Sequence, residues 1–511
     1  MKFDELLVKV GIECPKELYG REVSAIVTDS AKAIKDCIFV CLEGSRYDGH
    51  DHIDEAVSAG AVVIVAEKVR GVCVGGAALT LVNNTRLCAS LLYNEWFGSP
   101  SEAMKIIGVT GTNGKTSVTC MLKALFEAEG YSCALIGTLG IFSVNRRIGG
   151  EELSLANMTT PDPETLYSAL AEMKRDGVEY VFMEVSSHAL SQSRTDAIFF
   201  DCAVFTNLSA DHLDYHGDME AYYKAKEKLF LRSRRAVLNV DDTAGRRLAL
   251  ILRERRVDLK TCSSAEGDFC ALLDNNGEGR RGSFKTEYTL KTAKVCIRVS
   301  LPNFAGEFQI MNSLQAAAVA LSYGISPENV RDTFAKIQGV KGRMEQVRAH
   351  GKQNIHIFID YAHTPDALEK LLRSIRSMRT EGQRIVLLFG CGGDRDRSKR
   401  RVMGQIASRL ADMTVVTSDN SRSEDPAEII GDILKGIDKE KRFTVIKDRR
   451  SAIRRAILEF TRSGDILVLA GKGHETYEID RDGVHAFDER QIVREALCEL
   501  FDKDLEDKGK G

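Results

Sequence analysis

Lys115 and Thr116 close an apolar run that turns through glycines, Ile106-Ile107-Gly108-Val109-Thr110-Gly111-Thr112-Asn113-Gly114-Lys115-Thr116-Ser117. That order of residue types suits a phosphate. Glycines let backbone N–H groups approach an oxyanion, the lysine supplies a point charge, and the threonine hydroxyl can face Mg2+. The pattern from Val118 to Tyr131 is helical, which would set the anion at a helix N-terminus. One departure stands out. A strict G-x-x-x-x-G-K-[ST] loop wants glycine at 109, and this chain has Val109, with Gly108 one residue early.

Other polar clusters follow the same layout of strand, cluster and helix. Tyr180-Val181-Phe182-Met183-Glu184 ends a buried strand in a carboxylate, placed to complete the oxygen shell of a metal beside Thr116 or, alternatively, to cap the next helix. His212 lies among Asp211, Asp214 and His216, where an imidazole could hold a second cation or serve as a hydrogen-bonded loop histidine. The lysine-rich stretch Met219 to Phe230 reads as a solvated helix face, because a bare ammonium repels magnesium. Towards the C-terminus, Arg395, Arg397, Lys399, Arg400, Arg401, Arg422 and Lys472 suit a substrate bearing carboxylate or phosphate. Asp419-Asn420-Ser421-Arg422 could clamp the zwitterionic head of an amino acid, cation to carboxylate and acid to ammonium.

The elements that must position these clusters fall into three α/β units. Short strands at Ser24–Val27, Cys37–Leu42 and Ala61–Ala66, with a helix from Ile53, make a small first unit. Asn94 to Ser101 reads as a linker and puts a boundary near residue 102. The second unit, to about 339, holds the phosphate loop and the clusters after Glu184 and Leu208. Parallel strands carry their C-terminal ends to one side of a sheet, so these clusters can converge. Residues 266–300 break the pattern, and Gly277 to Gly282 followed by alternating Tyr288, Leu290, Val295, Ile297 and Val299 predicts an antiparallel appendage. The third unit has five strand-like runs, at Ile355–Ile359, Arg384–Phe389, Met413–Thr417, Phe443–Val445 and Ile466–Ala470, and a charged tail from Asp502 expected to fray.

Composition restricts the function classes. At 511 residues, 43% hydrophobic and 28% charged, the chain is that of a soluble multidomain protein. A net charge of -3 gives no reason to expect nucleic acid or an anionic membrane as a partner. The start, with Asp4 and Glu5 and no apolar core segment, is not that of a signal peptide, and no stretch approaches the roughly 18 apolar residues of a membrane span. Thirteen scattered cysteines without a C-x-x-C pair read as reduced thiols, so a cytoplasmic setting is expected. Cys391, inside a glycine turn, invites a catalytic role but lacks a visible partner and reads as packing.

Taken together, Gly111-Thr112-Asn113-Gly114-Lys115-Thr116, Glu184-Val185-Ser186-Ser187-His188, Thr206-Asn207-Leu208 with Asp211-His212-Leu213-Asp214-Tyr215-His216-Gly217, Gly342-Arg343-Met344-Glu345, Asp360-Tyr361-Ala362-His363-Thr364-Pro365 and Gly471-Lys472-Gly473-His474-Glu475 resemble the Mur ligases over nearly the whole chain. The similarity is greatest to the branch that adds the third amino acid to UDP-N-acetylmuramoyl-L-alanyl-D-glutamate. The resemblance implies an α/β fold of three domains. Residues 1–102 would bind the UDP precursor, 103–339 would form a central P-loop-type ATPase domain with a mostly parallel sheet, and 340–511 a Rossmann-like domain binding the incoming amino acid. It implies ATP and Mg2+, an acyl-phosphate intermediate, and the partners UDP-N-acetylmuramoyl dipeptide and a diamino acid, with a monomer expected.

Carried across by position, the resemblance assigns Gly111 to Ser117, Asn312 and Arg343 to ATP. Ser30, Ser45, Arg46, Tyr47, Thr159, Thr160, Ser186, Gln192 and Arg194 go to the UDP precursor, and Arg395, Asp419, Asn420, Ser421, Arg422, Gly471 and Glu475 to the amino acid. Lys115, Lys226, His212 and Glu184 are the implied catalytic set. Metal is implied at Thr116, Glu184, His212 and Lys226, the last as a carbamate. Two departures are Ala31, where the family's uridine loop usually carries arginine, and Ser421, where diaminopimelate-adding members usually have proline. Arg422 is retained. A second substrate carboxylate would pair with it and lysine would leave it unpaired, so meso-diaminopimelate is expected. The alternatives are the same reaction with L-lysine, or a ligase of the folylpolyglutamate synthase type.

Overall fold

A computed structural model describes residues 1–44, 47–69, 75–144, 146–149, 158–273, 284–347 and 355–508, with side chains through residue 501. The sequence-predicted residues Ser45, Arg46 and Gly277 to Gly282 lie outside these. Among the described residues three large sheets carry the three units, and a two-stranded ribbon, Tyr477–Asp480 with Gly483–Ala486, stands apart in the third. In the first, Ala25–Val27, Cys37–Val40, Ala61–Ala66 and Ala78–Leu81 pair in parallel in chain order.

The expected linker is not one. Asn94, Glu95 and Trp96 are the last turn of helix Thr85–Trp96, which starts where Asn84 accepts from the Leu87 N–H. Ser101 Oγ then donates to the buried Asn94 Oδ1 at 3.0 Å. Gly98 and Pro100 mark a tight turn. The apolar face of the helix packs on helix Pro163–Arg175 of the central unit, so Leu92, Tyr93, Leu166 and Tyr167 belong to one buried cluster with Phe3, Leu6 and Ile38.

In the central sheet, strand Lys105–Thr110 lies between Phe200–Phe205 and Tyr180–Glu184, parallel to both. These strands read as continuous apolar runs because both faces are covered. Helices Lys115–Ala128 and Phe308–Ser322 cover one face, while Pro163–Arg175 and Met219–Phe230 cover the other. The expected antiparallel appendage proves to be an extension of this sheet. Phe269–Leu272 pairs with Asp258–Ser263, and the hairpin Thr286–Lys291 with Cys296–Leu301 continues the same eleven strands. The alternation explains it, since Tyr288, Leu290, Val299 and Leu301 bury against the cluster around Leu314.

In the third sheet the order is Glu345–Val347, His356–Asp360, Ile466–Ala470, Ile385–Phe389, Met413–Val416, Phe443–Val445, with only the first strand antiparallel. Residues 502–508 of the tail expected to fray continue helix Glu489–Lys508, and residues 509–511 lie outside the described residues. No helix among the described residues is long and apolar enough to cross a membrane.

Candidate active site

The phosphate loop is shaped by what surrounds it. Gly111 has φ 148° and a Cβ there would lie 1.9 Å from Thr206 Oγ1; Gly114 has φ 90° and a Cβ would lie 2.5 Å from Asn312 Oδ1. Both glycines are therefore required by backbone conformation and by space. Val109, by contrast, is wholly buried within the entering strand. Gly114 caps helix Lys115–Ala128, whose first turn carries Thr116 and Ser117, both buried.

Charge is concentrated here and desolvated. Lys115 Nζ donates to the carbonyls of Gly111 and Thr112, each at 2.9 Å. Lys226, on helix Met219–Phe230, is 2% exposed and its Nζ donates to the same Gly111 carbonyl at 2.9 Å, 4.5 Å from the Tyr222 ring centre. Burial, reinforced by Lys115, pushes the Lys226 amine well below the ordinary lysine range. The solvated helix face expected for this stretch therefore holds for Lys224 and Lys228 but fails for Lys226, which turns inward. Glu184 is 1% exposed and accepts from Thr116 Oγ1 at 3.0 Å, from the Thr138 N–H at 2.9 Å and from Thr138 Oγ1 at 3.0 Å. Arg343 Nη2 donates to Thr116 Oγ1 at 3.0 Å, bringing a cation from the start of the third unit.

His212 adopts a left-handed backbone, φ 54°, at the start of the short helix Leu213–His216. Its ring stands 4.8 Å from that of His188, and burial depresses its pKa although Asp211, at 3.4 Å, acts against that. Beside Glu184, Thr138 Oγ1 meets Thr159 Oγ1 at 3.3 Å. Next, Thr160 Oγ1 accepts from the Ser186 N–H at 2.9 Å, while Arg194 donates to the Thr160 carbonyl and to Gln192 Oε1, both at 2.7 Å. Thr159, Thr160, Ser186, Gln192 and Arg194 thus form one polar patch, joined to the phosphate loop through Thr138 and Glu184.

A cavity of about 650 Å³ lies between the central and third units. It is lined by Thr112 to Ser117, Thr138, Thr159, Glu184, His212, Asn312 and Arg343 on one side and by Arg395, Asp419, Asn420, Arg422, Gly471 and Glu475 on the other. On the far wall Lys472 Nζ and the Ile479 N–H both donate to Asn420 Oδ1, at 2.8 and 3.0 Å, which aims Asn420 Nδ2 at Glu475 Oε2, 2.8 Å away. Burial, followed by the neighbouring Asp419, pushes the Glu475 carboxyl up to about 7. Burial also opposes ionisation of Asp419, but Lys472 and Arg449 outweigh it and hold that carboxyl below its ordinary range. Arg422 is left-handed, φ 52°, and its Nη1 donates to the Gly393 carbonyl at 2.9 Å.

Not every residue singled out in the sequence lines this cavity. Ser30 and Tyr47 lie in the first unit, hydroxyl to hydroxyl at 3.1 Å, with Tyr47 stacked on His52. Lys226 and Gly111 sit behind the cavity wall, and Ser421 is buried with its carbonyl against Gly393. Cys391 is buried against Met403, and desolvation pushes its thiol up to about 12, as packing requires. Sequence reasoning missed Asp241 and Asp242, which line the cavity after strand Ser233–Asn239; the same strand-end rule would have found them. It also missed Arg449, wholly buried with Glu489 at 2.8 Å and bonded to the carbonyls of Ser418 and Ala470. No local pattern separates this arginine from the exposed Arg450 beside it.

Comparison with known proteins covers nearly the whole chain. Residues 22–86, 109–320 and 342–473 match the models of the Mur ligase family catalytic domain, the Mur ligase middle domain and the Mur ligase glutamate ligase domain. A UDP-N-acetylmuramoyl-L-alanyl-D-glutamate–2,6-diaminopimelate ligase of Clostridium acetobutylicum is 40% identical over 482 residues, spanning 94% of this chain and 96% of its own length. The chain belongs to the Mur ligase family. A Mur ligase of Syntrophomonas wolfei bearing the same description is 38% identical over 97% of this chain and 99% of its own. A solved structure described as UDP-N-acetylmuramoyl-L-alanyl-D-glutamate–2,6-diaminopimelate ligase superposes with a TM-score of 0.68 at 30% identity, covering 98% of this chain and 99% of that one. The Thermotoga maritima MurF ligase in complex with ADP, at TM-score 0.57 and 20% identity over 95% of this chain, shares the fold.

Proposed function

We propose that this Mur ligase joins meso-diaminopimelate to the D-glutamyl γ-carboxyl of UDP-N-acetylmuramoyl-L-alanyl-D-glutamate at the expense of ATP. The observation that carries this reading is the two-sided cavity. A phosphate loop faces an array of Arg395, Asp419, Asn420, Arg422 and Glu475 suited to an amino acid with more than one charged group. Relatives named for this reaction match along the full length of the chain.

ATP would lie on the N–H groups of Gly111 to Ser117, with Asn312 and Arg343 around it and Lys115 turning from the loop carbonyls to the terminal phosphate. The patch of Thr159, Thr160, Ser186, Gln192 and Arg194 would hold the muramoyl dipeptide with its carboxylate beside Glu184 and Thr138, and Ser30, Ser45, Arg46 and Tyr47 would take the uridine end. The carboxylate attacks the γ-phosphorus, ADP departs, and an acyl phosphate remains. The amine of diaminopimelate then attacks the acyl carbon, phosphate leaves with the bonding electrons, and the nitrogen loses its extra proton as the amide forms. Lys115 and Arg343 offset the charge gathered as two anions meet. Arg422 would pair with the distal carboxylate, and Asp419 and Glu475 would receive an ammonium.

The donor set fits magnesium. Thr116 and Glu184 offer hard oxygens, yet no cluster of three or more histidine, cysteine or acidic side chains among the described residues could hold a cation unaided. Phosphate oxygens would have to complete the shell. A second site would need another acid beside His212, and Lys226 could become one. Its buried amine is held toward the neutral form, the form that adds CO2 to give a carbamate. When bound, Mg2+ would screen the phosphoryl oxygens from the incoming carboxylate.

Phosphate release from ATP tests the reaction. Release should require both the UDP-muramoyl dipeptide and meso-diaminopimelate, and L-lysine, which would leave Arg422 unpaired, should be discriminated against by about 10-fold or more in kcat/KM. Arg422→Ala should erase most of that preference. Release without the dipeptide, or comparable use of lysine at low concentration by the unaltered protein, would refute the assignment.

A further inference from the structure

One carboxylate of the third unit reads two loops of the central unit at once. Asp366 lies in the first turn of helix Pro365–Met378, but Thr364, not Asp366, caps that helix by accepting from the Ala367 N–H. The Asp366 Oδ2 instead accepts from Asn113 Nδ2 at 3.0 Å and from Ser209 Oγ at 2.7 Å. Asn113 belongs to the phosphate loop, and Ser209 opens the loop that carries Asp211 and His212. Lys370, one turn along the same helix, donates to the same oxygen at 2.9 Å and holds the carboxylate in place from its own side.

The two donors are themselves fixed from behind. The Asn113 N–H donates to Asn207 Oδ1 at 3.0 Å, and its carbonyl accepts from Thr206 Oγ1 and Asn207 Nδ2. Ser209 is tied to the phosphate loop through its N–H, which donates to Thr112 Oγ1 at 3.0 Å, and its carbonyl, which accepts from the same hydroxyl at 3.2 Å. With their backbones committed within the central unit, only the side chains of Asn113 and Ser209 reach outward, and both reach Asp366. Hydrogen bonds to an ionised acceptor are among the stronger polar contacts.

We infer that Asp366 is a positioning residue that latches the third unit onto the phosphate loop and the His212 loop together, so that the amino-acid wall of the cavity is brought against the nucleotide wall. The inference rests on the ligase reading for its kinetic arm but not for its conformational one. Asp366 is about one-quarter exposed, so its replacement should leave the fold intact.

Asp366→Ala and Asp366→Asn test this. ATP-analogue affinity should stay within about twofold of the unaltered protein, because the contacts that shape the loop lie inside the central unit. The kcat should fall, or the KM for the amino acid rise, by on the order of tenfold in the alanine variant and less in the asparagine variant, which keeps one acceptor. Small-angle scattering should show the unaltered protein contracting with ATP analogue and the alanine variant contracting less. Unchanged kinetics and scattering in Asp366→Ala would overturn the latch, as would an equal loss of ATP affinity, which would make Asp366 a part of the nucleotide site. If the unaltered protein fails to use diaminopimelate at all, the ligase reading falls while the scattering arm still decides the latch.

Discussion

Helix Thr85–Trp96 meets helix Pro163–Arg175 through Leu92, Tyr93, Leu166 and Tyr167, each at most 3% exposed, whereas the facing walls of the central and third units present Lys115, Asp211, His212, Arg395 and Glu475 to a shared cavity. The first seam is continuous hydrophobic core, with Ser90 Oγ and Tyr167 OH satisfied by each other at 2.8 Å. Among the described residues the second has only a small apolar foot, where Phe284, Ala305 and Phe308 touch the third unit's core, beside polar contacts such as Asn113 to Asp366 and Arg343 to Thr116. Burying apolar area is worth about 25 cal/mol per Å² and falls off abruptly when surfaces part, so the first seam holds its partners in one arrangement. Polar groups can exchange partner for water at small net cost, which leaves the second seam free to open for substrates and close on them.

The sharpest way to break this contrast is at Lys226, which lies on the polar side but is buried as deeply as the apolar seam. Lys226→Ala should lower kcat on the order of 10²–10³-fold, and bicarbonate or another small carboxylate should restore part of it, read by phosphate release. Undiminished turnover would remove the carbamate from the mechanism. Next in size, Leu92→Ala should cost about 2–5 kcal/mol in denaturant unfolding, while the KM for ATP of the folded fraction stays put. A change in ATP affinity without loss of stability would mean that the first seam moves after all.

The smallest effect is with pH. Folding raises the Glu475 pKa above its unfolded value, to about 7, so native protein holds a proton that unfolded chain has released. Its contribution to stability is full below the unfolded value of about 4.5 and is lost as pH rises through about 7. An ammonium on the substrate selects the ionised form, so the KM for the amino acid should fall roughly tenfold between pH 6 and pH 8. Glu475→Gln should flatten that dependence, and a profile unchanged by the substitution would place the titrating group elsewhere.

The contrast also divides what was legible in the sequence. The phosphate loop, Glu184 and the Asp419 cluster announce themselves because each is a polar group at the end of an apolar run, and the parallel sheet carries such ends to one side. The same rule, applied to Asn239 and the acids after it, extends to Asp241 and Asp242. Asn94 to Ser101 reads as a linker because Gly98 and Pro100 dominate the local pattern, whereas Ser101 buries against Asn94 and the neighbouring Leu92 packs on helix Pro163–Arg175, far along the chain. Alternation within residues 266–300 predicts antiparallel pairing, but what the hairpin pairs onto is a tertiary fact. Lys226 is hidden for the opposite reason: its neighbours Lys224 and Lys228 are exposed, and composition averages over the one lysine of the three that turns inward.

His212 and Arg422 stand on opposite walls of the cavity, yet each is a non-glycine residue in the left-handed region, at φ 54° and 52°. Such a conformation costs on the order of 1–3 kcal/mol and persists because neighbours enforce it. Glycine relieves that cost. Glycine substitution would ease that strain here as at Asp394 or Met344, but at these two positions each gain would delete either the imidazole beside the phosphate loop or the guanidinium facing the amino acid. Durability and activity compete in this molecule for the same two dihedral angles.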